Sequence, residues 1–455
     1  MPDAASATSC FKAYDIRGRV PEDLDIESAY RIGRAFADVV KPEKVVTGYD
    51  IRLTSPELTD ALERGLLDAG VDVYSLGLCG TEEIYRATAQ LGMDGGIMVT
   101  ASHNPEAYNG MKLVGRQAKP IGRENGLADI EKQVLTGVTP PAPDTPAGTK
   151  RSLDTRASYI EHLLSYIDID RLKPLKIVTD AGNGGAGMIV DALAPLLPFD
   201  FIKLNNDPDG HFPKGVPNPL LPENRDEIIA KIRETGADLG IAWDGDFDRC
   251  FLFDENGTFI EGYYIVGLLA EAFLRKQPGS KIIHDPRLTW NTIDVVKQAG
   301  GVPIQSKTGH AFIKDAMRDT DAIYGGEMSG HHYFRDFSYC DSGMIPWLLV
   351  VEMISTTGKS LSQLIQERMA AYPCSGEINF RVPSTKASIA NILSRYENDA
   401  IERDDTDGIS LDFGDWRFNL RASNTEPVLR LNVESKGNPE LMKSKTAELS
   451  ALISH

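Results

Sequence analysis

Three segments of the chain share one pattern, and this repeat restricts the possible fold more than any other feature. In each segment an apolar run ends in an Asp-containing loop, which a helix-like stretch and a second apolar run follow. The three openings are KVVTGYDIRLTS (44–55), LKIVTDAGNGGAG (175–187) and KIIHDPRLTW (281–290). Strand, loop, helix and strand in this order are typical of parallel α/β units. We therefore expect three related α/β domains with mixed sheets.

Each repeat continues into a further strand that ends in a polar loop. The three loops read TASHNP (100–105), DGDFDR (244–249) and GEMSG (326–330). Ligands bind at the carboxyl ends of strands in open α/β sheets. Each of the three domains is therefore expected to supply one loop with a chemical role.

The last part of the chain follows a different pattern. Residues 409–435 alternate apolar and polar side chains over two or three short strands, and helix-like segments flank them. This pattern predicts a small α+β domain with a partly solvated sheet. A Pro-rich linker at 136–150 supports the first boundary. The predicted domains are 1–150, 151–254, 255–370 and 371–455.

Composition excludes several classes of function. The net charge of −18 over 455 residues argues against nucleic acid or an anionic membrane as partner. No apolar run is long enough to span a membrane, and the N-terminus does not resemble a signal peptide. The five cysteines are irregularly spaced, as in cytoplasmic proteins with reduced thiols. We expect a cytoplasmic protein that is a monomer or a weak dimer.

The DGDFDR loop predicts a metal site. Asp244, Asp246 and Asp248 follow an apolar strand at a spacing of two, and three carboxylates this close repel each other unless a cation binds. Oxygen ligands of this kind suit Mg²⁺ or Ca²⁺. An EF-hand does not fit, because Arg249 stands where that loop needs glycine. The same Arg249 indicates an anion beside the metal.

Other loops carry groups that bind hydroxyls or anions, although a glycine turn or a capped turn would explain each motif taken alone. Glu327, Ser329 and His331 suit the hydroxyls of a sugar. Groups that suit a phosphate are Arg17, which follows Tyr14 near the chain start, Lys307 and His310 at a strand end, and the run Arg421, Ser423, Asn424 and Thr425.

Together these motifs resemble the α-D-phosphohexomutase superfamily, most closely its bacterial phosphomannomutase and phosphomannomutase/phosphoglucomutase members. The resemblance covers nearly the whole chain. TASHNP is similar to the phosphoserine loop, DGDFDR to the magnesium loop, GEMSG to the sugar-recognition loop and RASNT to the phosphate-binding loop. The family fold implies four domains in a heart shape around a central cleft, the fourth being smaller.

The resemblance also implies a role for each motif. Ser102 would carry a phosphoryl group, and Asp244, Asp246 and Asp248 would bind Mg²⁺ together with a phosphate oxygen on Ser102. Glu327 and Ser329 would bind O3 and O4 of the sugar. Arg421, Ser423, Asn424 and Thr425 would hold the phosphate that does not react. Further substrate contacts would come from Tyr14, Arg17, Lys112, Arg249, His310, His331 and Arg287, the last in a loop where relatives often have lysine.

These roles imply an isomerase that interconverts mannose 6-phosphate and mannose 1-phosphate, with possible action on glucose phosphates. A hexose 1,6-bisphosphate would be both intermediate and activator, and the partners would be small phosphosugars. His103, Lys112 and His331 are candidates for the general acid and base. The alternatives are a phosphoglucomutase, a metal-dependent sugar phosphatase with Asp244 as nucleophile, and a phosphosugar-binding protein without catalysis.

Overall fold

The computed structural model describes residues 10–138, 146–422 and 428–454. The chain divides into two compact units, and each is described by itself. Unit 1 extends to Phe259 and also contains Asp336–Gly358. Unit 2 consists of Ile260–Arg335 and the chain from Lys359 onward.

The first sheet of unit 1 has six strands. They are β1 (Ile16–Arg19), β2 (Lys44–Tyr49), β3 (Asp72–Leu78), β4 (Gly95–Val99), β5 (Tyr108–Gly115) and β6 (Lys150–Ser152), in the order β1-β5-β4-β2-β3-β6. Its helices are α1 (Ile26–Val40), α2 (Ser55–Asp68), α3 (Thr81–Gln90) and α4 (Leu127–Thr136). The inner strands β2 and β4 are buried almost throughout, as expected for strands covered on both faces.

The second sheet of unit 1 has five strands. They are β7 (Lys176–Asp180), β8 (Asp200–Leu204), β9 (Leu239–Trp243), β10 (Cys250–Phe253) and β11 (Phe259–Ile260), in the order β11-β10-β9-β7-β8. The helices of this region are α5 (Arg156–Leu164), α6 (Ala186–Leu193) and α7 (Asp226–Thr235). Ile228 and Ile232 of α7 are buried in a hydrophobic cluster with Val178 of β7.

The first sheet of unit 2 repeats this arrangement. Its strands are β12 (Lys281–His284), β13 (Val302–Gln305), β14 (Tyr324–Gly326) and β15 (His332–Phe334), in the order β13-β12-β14-β15. The helices are α8 (Gly262–Lys276), α9 (Trp290–Gln298) and α10 (His310–Thr320). His332, for which the sequence indicates no role, is buried and its Nδ1 lies 2.7 Å from the hydroxyl of Tyr324.

The three sheets confirm the repeat seen in the sequence. In each, three parallel strands are followed by one antiparallel strand, in the orders β3-β2-β4-β5, β8-β7-β9-β10 and β13-β12-β14-β15. The three chemical loops join the third strand to the fourth in every case. They therefore occupy equivalent hairpins in three related α/β domains.

A short segment between the domains belongs to unit 1. It contains β16 (Cys340–Asp341) and α11 (Ile345–Thr357). Trp347 of α11 packs edge-on against Trp243 of β9, with ring centroids 6.5 Å apart. The Trp243 indole also donates to the carbonyl of Gly343 at 2.9 Å, so this segment is fixed to the second sheet.

The C-terminal domain is an antiparallel sheet with helices. Its strands are β17 (Cys374–Arg381), β18 (Glu402–Asp404), β19 (Ile409–Asp412), β20 (Trp416–Ala422) and β21 (Val428–Ser435), in the order β17-β21-β20-β19-β18. Helix α12 (Leu361–Ala371) precedes this domain, whose own helices are α13 (Thr385–Tyr396) and α14 (Pro439–Ser454). The predicted α+β class is confirmed, but β17 and β18 lie outside the segment that the alternation singled out.

In the described ranges, no helix is long and apolar enough to cross a membrane.

Candidate active site

Ser102 lies in the hairpin loop between β4 and β5 and points towards the equivalent hairpin of the second domain. Its φ of 48° is in the left-handed region, which side chains other than glycine seldom adopt. The backbone N–H donates to Thr100 Oγ1 at 2.9 Å. The Ser102 hydroxyl donates to Asp244 Oδ2 at 2.8 Å. The strained backbone thus holds the hydroxyl against the acidic loop.

The acidic loop gathers three buried carboxylates. Each of Asp244, Asp246 and Asp248 offers one oxygen, and these oxygens lie within 4.8 Å of one another. Asp246 Oδ2 accepts from Thr81 Oγ1 at 2.5 Å, whereas Asp246 Oδ1 is buried and accepts no hydrogen bond from the described residues. The carboxylates are of the kind that Mg²⁺ or Ca²⁺ prefers, and the free oxygen fits a divalent cation.

Gly245 allows the two hairpins to approach closely. A Cβ at this position would stand 2.6 Å from the carbonyl oxygen of Ser102, well inside van der Waals contact. Close packing of the two hairpins therefore requires glycine between Asp244 and Asp246.

Two cations balance part of the acidic charge. Lys112 Nζ on β5 lies 2.7 Å from Asp246 Oδ2 and 2.5 Å from Asp248 Oδ2. Burial would lower the pKa of Lys112, but the two carboxylates outweigh it and raise the pKa above its usual value. Arg249 Nη2 lies 2.7 Å from Asp244 Oδ2. Lys112 is therefore positively charged and bound to the carboxylates in this arrangement.

His103 lies beside the Ser102 hydroxyl as a neutral ring. Its Nδ1 lies 3.1 Å from Ser102 Oγ and 2.5 Å from Arg249 Nη2. Burial, with the positive charges of Arg249 and Arg17, lowers the pKa of His103 well below its usual value. Because a guanidinium group can only donate, Nδ1 carries no proton and acts as an acceptor.

The N-terminal segment adds a further cation to this set. Arg17 of β1 forms an ion pair with Asp15 at 2.7 Å, and its Nη1 donates to Asn104 Oδ1 at 2.6 Å. Tyr14 is half-buried in the turn that precedes β1. Arg17 therefore lies beside the loop that carries Ser102. This position agrees with the prediction that Arg17 contacts an anion.

Unit 2 brings together the residues predicted to bind a sugar. Glu327, in the hairpin between β14 and β15, accepts from the Tyr333 hydroxyl at 2.6 Å and from the backbone N–H of Gly309 at 2.9 Å. The second bond ties the turn that precedes His310 to the Glu327 loop. Half-buried Ser329 and His331 belong to the same hairpin. A carboxylate oxygen has capacity for more than one hydrogen bond, so Glu327 retains acceptor capacity for a hydroxyl.

In unit 2 three arginines lie among four carboxylates, Asp285, Glu327, Glu377 and Asp407. Arg287 pairs with Asp285 at 2.9 Å and lies 3.3 Å from Ser329 Oγ. Glu377 has three arginine neighbours, Arg287 at 3.4 Å, Arg421 at 3.7 Å and Arg430 at 3.1 Å.

Two of these arginines keep buried donors that fit an anion. Burial, reinforced by the charge of Arg287, lowers the pKa of Arg421. The Nε atoms of Arg421 and Arg430 are buried and donate to no acceptor among the described residues. Ser423, Asn424 and Thr425, predicted to bind the same phosphate, lie outside the described residues.

Several residues of these two sets were not predicted from the sequence. In unit 2 they are Glu377 and Arg430, which adjacent strands bring together from distant parts of the chain. In unit 1 they are Thr81 and Arg52. A signal for Arg52 does exist, because Asp-Ile-Arg at 50–52 matches Asp-Pro-Arg at 285–287 in the third repeat.

Four family models match consecutive parts of the chain. They are described as domains I, II and III and the C-terminal domain of phosphoglucomutase/phosphomannomutase, and they match residues 8–139, 157–257, 261–372 and 377–451. The chain belongs to the phosphoglucomutase/phosphomannomutase family. It is therefore an enzyme of the isomerase type that transfers a phosphoryl group within its substrate, and the resemblance to the α-D-phosphohexomutases is confirmed.

Similar proteins within this family match over almost their full length. A phosphomannomutase from Salmonella typhimurium is 60% identical over 98% of this chain and 99% of its own. A protein described as phosphohexose mutases from Xanthomonas campestris is 58% identical over 97% and 98%. The crystal structure of a phosphoglucomutase/phosphomannomutase family protein from Burkholderia thailandensis is 32% identical, with a TM-score of 0.86 over 100% of this chain and 98% of that one.

Proposed function

We propose that this enzyme is a phosphomannomutase that interconverts mannose 6-phosphate and mannose 1-phosphate and also accepts glucose phosphates. Phosphoserine 102 is the covalent carrier and a hexose 1,6-bisphosphate is the intermediate. One observation carries the proposal. Ser102 Oγ lies 2.8 Å from Asp244 within a buried carboxylate cluster, where a phosphate on Ser102 needs a cation to neutralise it.

We assign Asp244, Asp246 and Asp248 as the ligands of Mg²⁺, together with an oxygen of the Ser102 phosphate. When bound, this ion neutralises charge on the phosphoryl group and so allows a hydroxyl to approach it. Arg249 and Lys112 add positive charge beside the same carboxylates. Phosphoryl transfer then depends mainly on positioning and electrostatics, which these side chains supply.

The reaction proceeds in two transfers. A hydroxyl of the hexose monophosphate attacks the phosphorus on Ser102 and gives its proton to a base, while the Ser102 O–P bond breaks and an acid protonates Ser102 Oγ. The bisphosphate then presents its other phosphate to Ser102. The Ser102 hydroxyl gives its proton to a base as its oxygen attacks, and the sugar O–P bond breaks with protonation of the sugar oxygen, which leaves the isomeric monophosphate. His103 Nδ1 is an acceptor beside Ser102 Oγ, so it suits the base that takes the Ser102 proton in the second transfer. Lys112 and His331 remain candidates for the complementary role.

In unit 2 we assign Glu327 and Ser329 to sugar hydroxyls O3 and O4. Arg421, with Ser423, Asn424 and Thr425, binds the phosphate that does not react. Tyr14, Arg17, Arg249, Arg287, His310 and His331 make further substrate contacts. Mannose and glucose share O3 and O4 and differ at C2, so binding through these hydroxyls supports activity on both sugars.

The cysteines indicate the cellular compartment of the enzyme. Four of the five cysteines are buried, and none forms a disulfide, which fits reduced thiols in the cytoplasm. We propose a cytoplasmic enzyme with phosphosugars as its partners, a monomer or a weak dimer, activated by hexose 1,6-bisphosphate. Sedimentation at several protein concentrations tests the oligomeric state.

Initial rates with mannose 1-phosphate and glucose 1-phosphate, measured side by side, test the activity. We expect both 6-phosphates to form, with the higher kcat/KM for mannose. A preference for glucose would assign a phosphoglucomutase instead. Release of inorganic phosphate as the main product would support the phosphatase, and binding without turnover would support the non-catalytic protein.

A further inference from the structure

The guanidinium group of Arg52 is surrounded by backbone carbonyls of the Ser102 loop. Arg52 lies two residues after Asp50, in the loop that follows β2. Its two terminal nitrogens donate to four carbonyl oxygens, at distances between 2.5 and 2.9 Å. The acceptors belong to Ser102, Asn104, Pro105 and Tyr108.

Arg52 is itself held firmly beneath this loop. Its side chain is 2% exposed, and its Nε lies 3.4 Å from Asp50 Oδ2. The ring of Phe212 covers the guanidinium, with 5.3 Å between the guanidinium carbon and the ring centroid. A planar group with five donors and neighbours on its edge and face has little freedom to move. The four carbonyls therefore bind to a guanidinium group whose position is fixed.

The Arg52 guanidinium helps to fix the backbone of Ser102. The carbonyl of Ser102 accepts from Arg52 Nη2 at 2.9 Å, and its N–H donates to Thr100 Oγ1 at 2.9 Å. The peptide groups on both sides of the Ser102 Cα are thus anchored, and this fixes the direction of the Cα–Cβ bond. A non-glycine residue keeps a φ of 48° only where its surroundings impose it.

The equivalent arginine of the third repeat, Arg287, makes different contacts from those of Arg52. Arg52 and Arg287 occupy the same position after a strand-end aspartate, and each donates its backbone N–H to that aspartate, at 3.0 and 2.9 Å. The Arg287 guanidinium contacts side chains, namely Asp285, Glu377 and Ser329 Oγ. In the first repeat the two terminal nitrogens of Arg52 contact backbone carbonyls instead, and all four carbonyls belong to the loop that carries Ser102.

We propose that Arg52 is a positioning residue for phosphoryl transfer, which holds the Ser102 loop in the geometry that the reaction requires. The inference rests on the proposed function, because it needs Ser102 to be the carrier. A displacement of about 1 Å at a reacting group can lower a rate roughly a hundredfold. Loss of the four-carbonyl contact therefore lowers kcat, whereas KM for the hexose phosphate changes little.

The test compares Arg52→Lys with the matched variant Arg368→Lys. Lysine keeps the charge of Arg52 but cannot reach four carbonyls in one plane. Arg368 is a forked arginine of α12 that donates to Asn291 and Asp294, neither of which belongs to a candidate set. The measurements are kcat, KM, thermal unfolding, and the rate at which dephosphorylated enzyme gains a phosphoryl group from glucose 1,6-bisphosphate, followed by intact mass.

We expect Arg52→Lys to be folded at the assay temperature, with kcat and the phosphorylation rate at least tenfold lower and KM within twofold of the parent enzyme. Arg368→Lys should keep its kcat. A kcat for Arg52→Lys within twofold of the parent value would overturn the proposal. If Arg52→Lys does not fold, Thr100→Val tests the same idea from the other peptide group, and an unchanged kcat there contradicts it.

The same experiment separates this proposal from the proposed function. If the parent enzyme gains no phosphoryl group on Ser102, the proposed function fails. If the parent gains it and Arg52→Lys gains it equally fast, the role of Arg52 alone fails.

Discussion

Lys112 Nζ lies 2.7 Å from Asp246 Oδ2, and both groups are almost completely buried. The same ammonium lies 2.5 Å from Asp248 Oδ2, so one lysine neutralises part of the charge of two aspartates in the acidic loop. Breaking a buried ion pair by removing one partner is strongly destabilising, because a charge is left without compensation. The lysine therefore contributes to the stability of the metal-free enzyme.

Replacing Lys112 tests this contribution. We expect Lys112→Met to lower the free energy of unfolding in EDTA by about 3–5 kcal/mol, the usual cost of a broken buried pair. Mg²⁺ should raise the Tm of the variant more than that of the parent, because binding to the native state stabilises it. Thermal unfolding with and without Mg²⁺ measures both effects. The control is Lys203→Met, which removes an exposed partner of Asp191. An unchanged Tm for Lys112→Met in EDTA would contradict a stabilising role of Lys112.

Asp246 has a buried oxygen, Oδ1, that accepts no hydrogen bond from the described residues. We expect Asp246→Asn to lower turnover by two or more orders of magnitude while the protein stays folded, because a cation ligand is lost. Assays over a range of Mg²⁺ concentrations should show weaker activation than for the parent enzyme. Asp191→Asn, on an exposed helix surface, should behave like the parent. Full activity of EDTA-treated parent enzyme would exclude a metal-dependent reaction.

Arg421 provides the test of the phosphate anchor. Its Nε is buried without an acceptor in the described part of the chain, so an anion there gains a charge-assisted hydrogen bond. Removing such a bond costs roughly 1.5–3 kcal/mol, which is about a ten- to hundredfold loss of affinity. We expect Arg421→Ala to weaken the hexose 1-phosphate and the 6-phosphate alike in calorimetric titration. Arg403→Ala, an exposed change in the same domain, is the control, and a loss confined to one isomer would contradict a shared anchor.

Much of the fold was predictable because each α/β repeat carries its own local signals. Each strand that leads to Asp50, Asp180 or Asp285 is encoded by a short contiguous apolar run, and the loop follows at once. The sequence therefore predicts these strands and loops. The antiparallel strand β17 was missed, since CSGEINFR has no strict alternation. Its place in the sheet depends on pairing with β21, more than fifty residues away.

The candidate site was predictable to the extent that its residues form contiguous motifs. Ser102 and the three aspartates of the acidic loop belong to such motifs, and the structure brings them together. The link between Lys112 and Asp246 joins residues more than 130 positions apart, and no local pattern reveals it. The same holds for Glu377 with its three arginines and for Arg52 with the carbonyls of the Ser102 loop.

The central claim is that Ser102 carries the phosphoryl group. Purified enzyme is dephosphorylated, incubated with glucose 1,6-bisphosphate, and analysed by intact mass and peptide fragmentation, with Ser102→Ala in parallel. We predict the gain of one phosphoryl group on Ser102, recovery of mutase activity in proportion to that gain, and neither change in Ser102→Ala. A phosphoryl group on another residue, or full turnover by unphosphorylated enzyme without bisphosphate, would contradict the account.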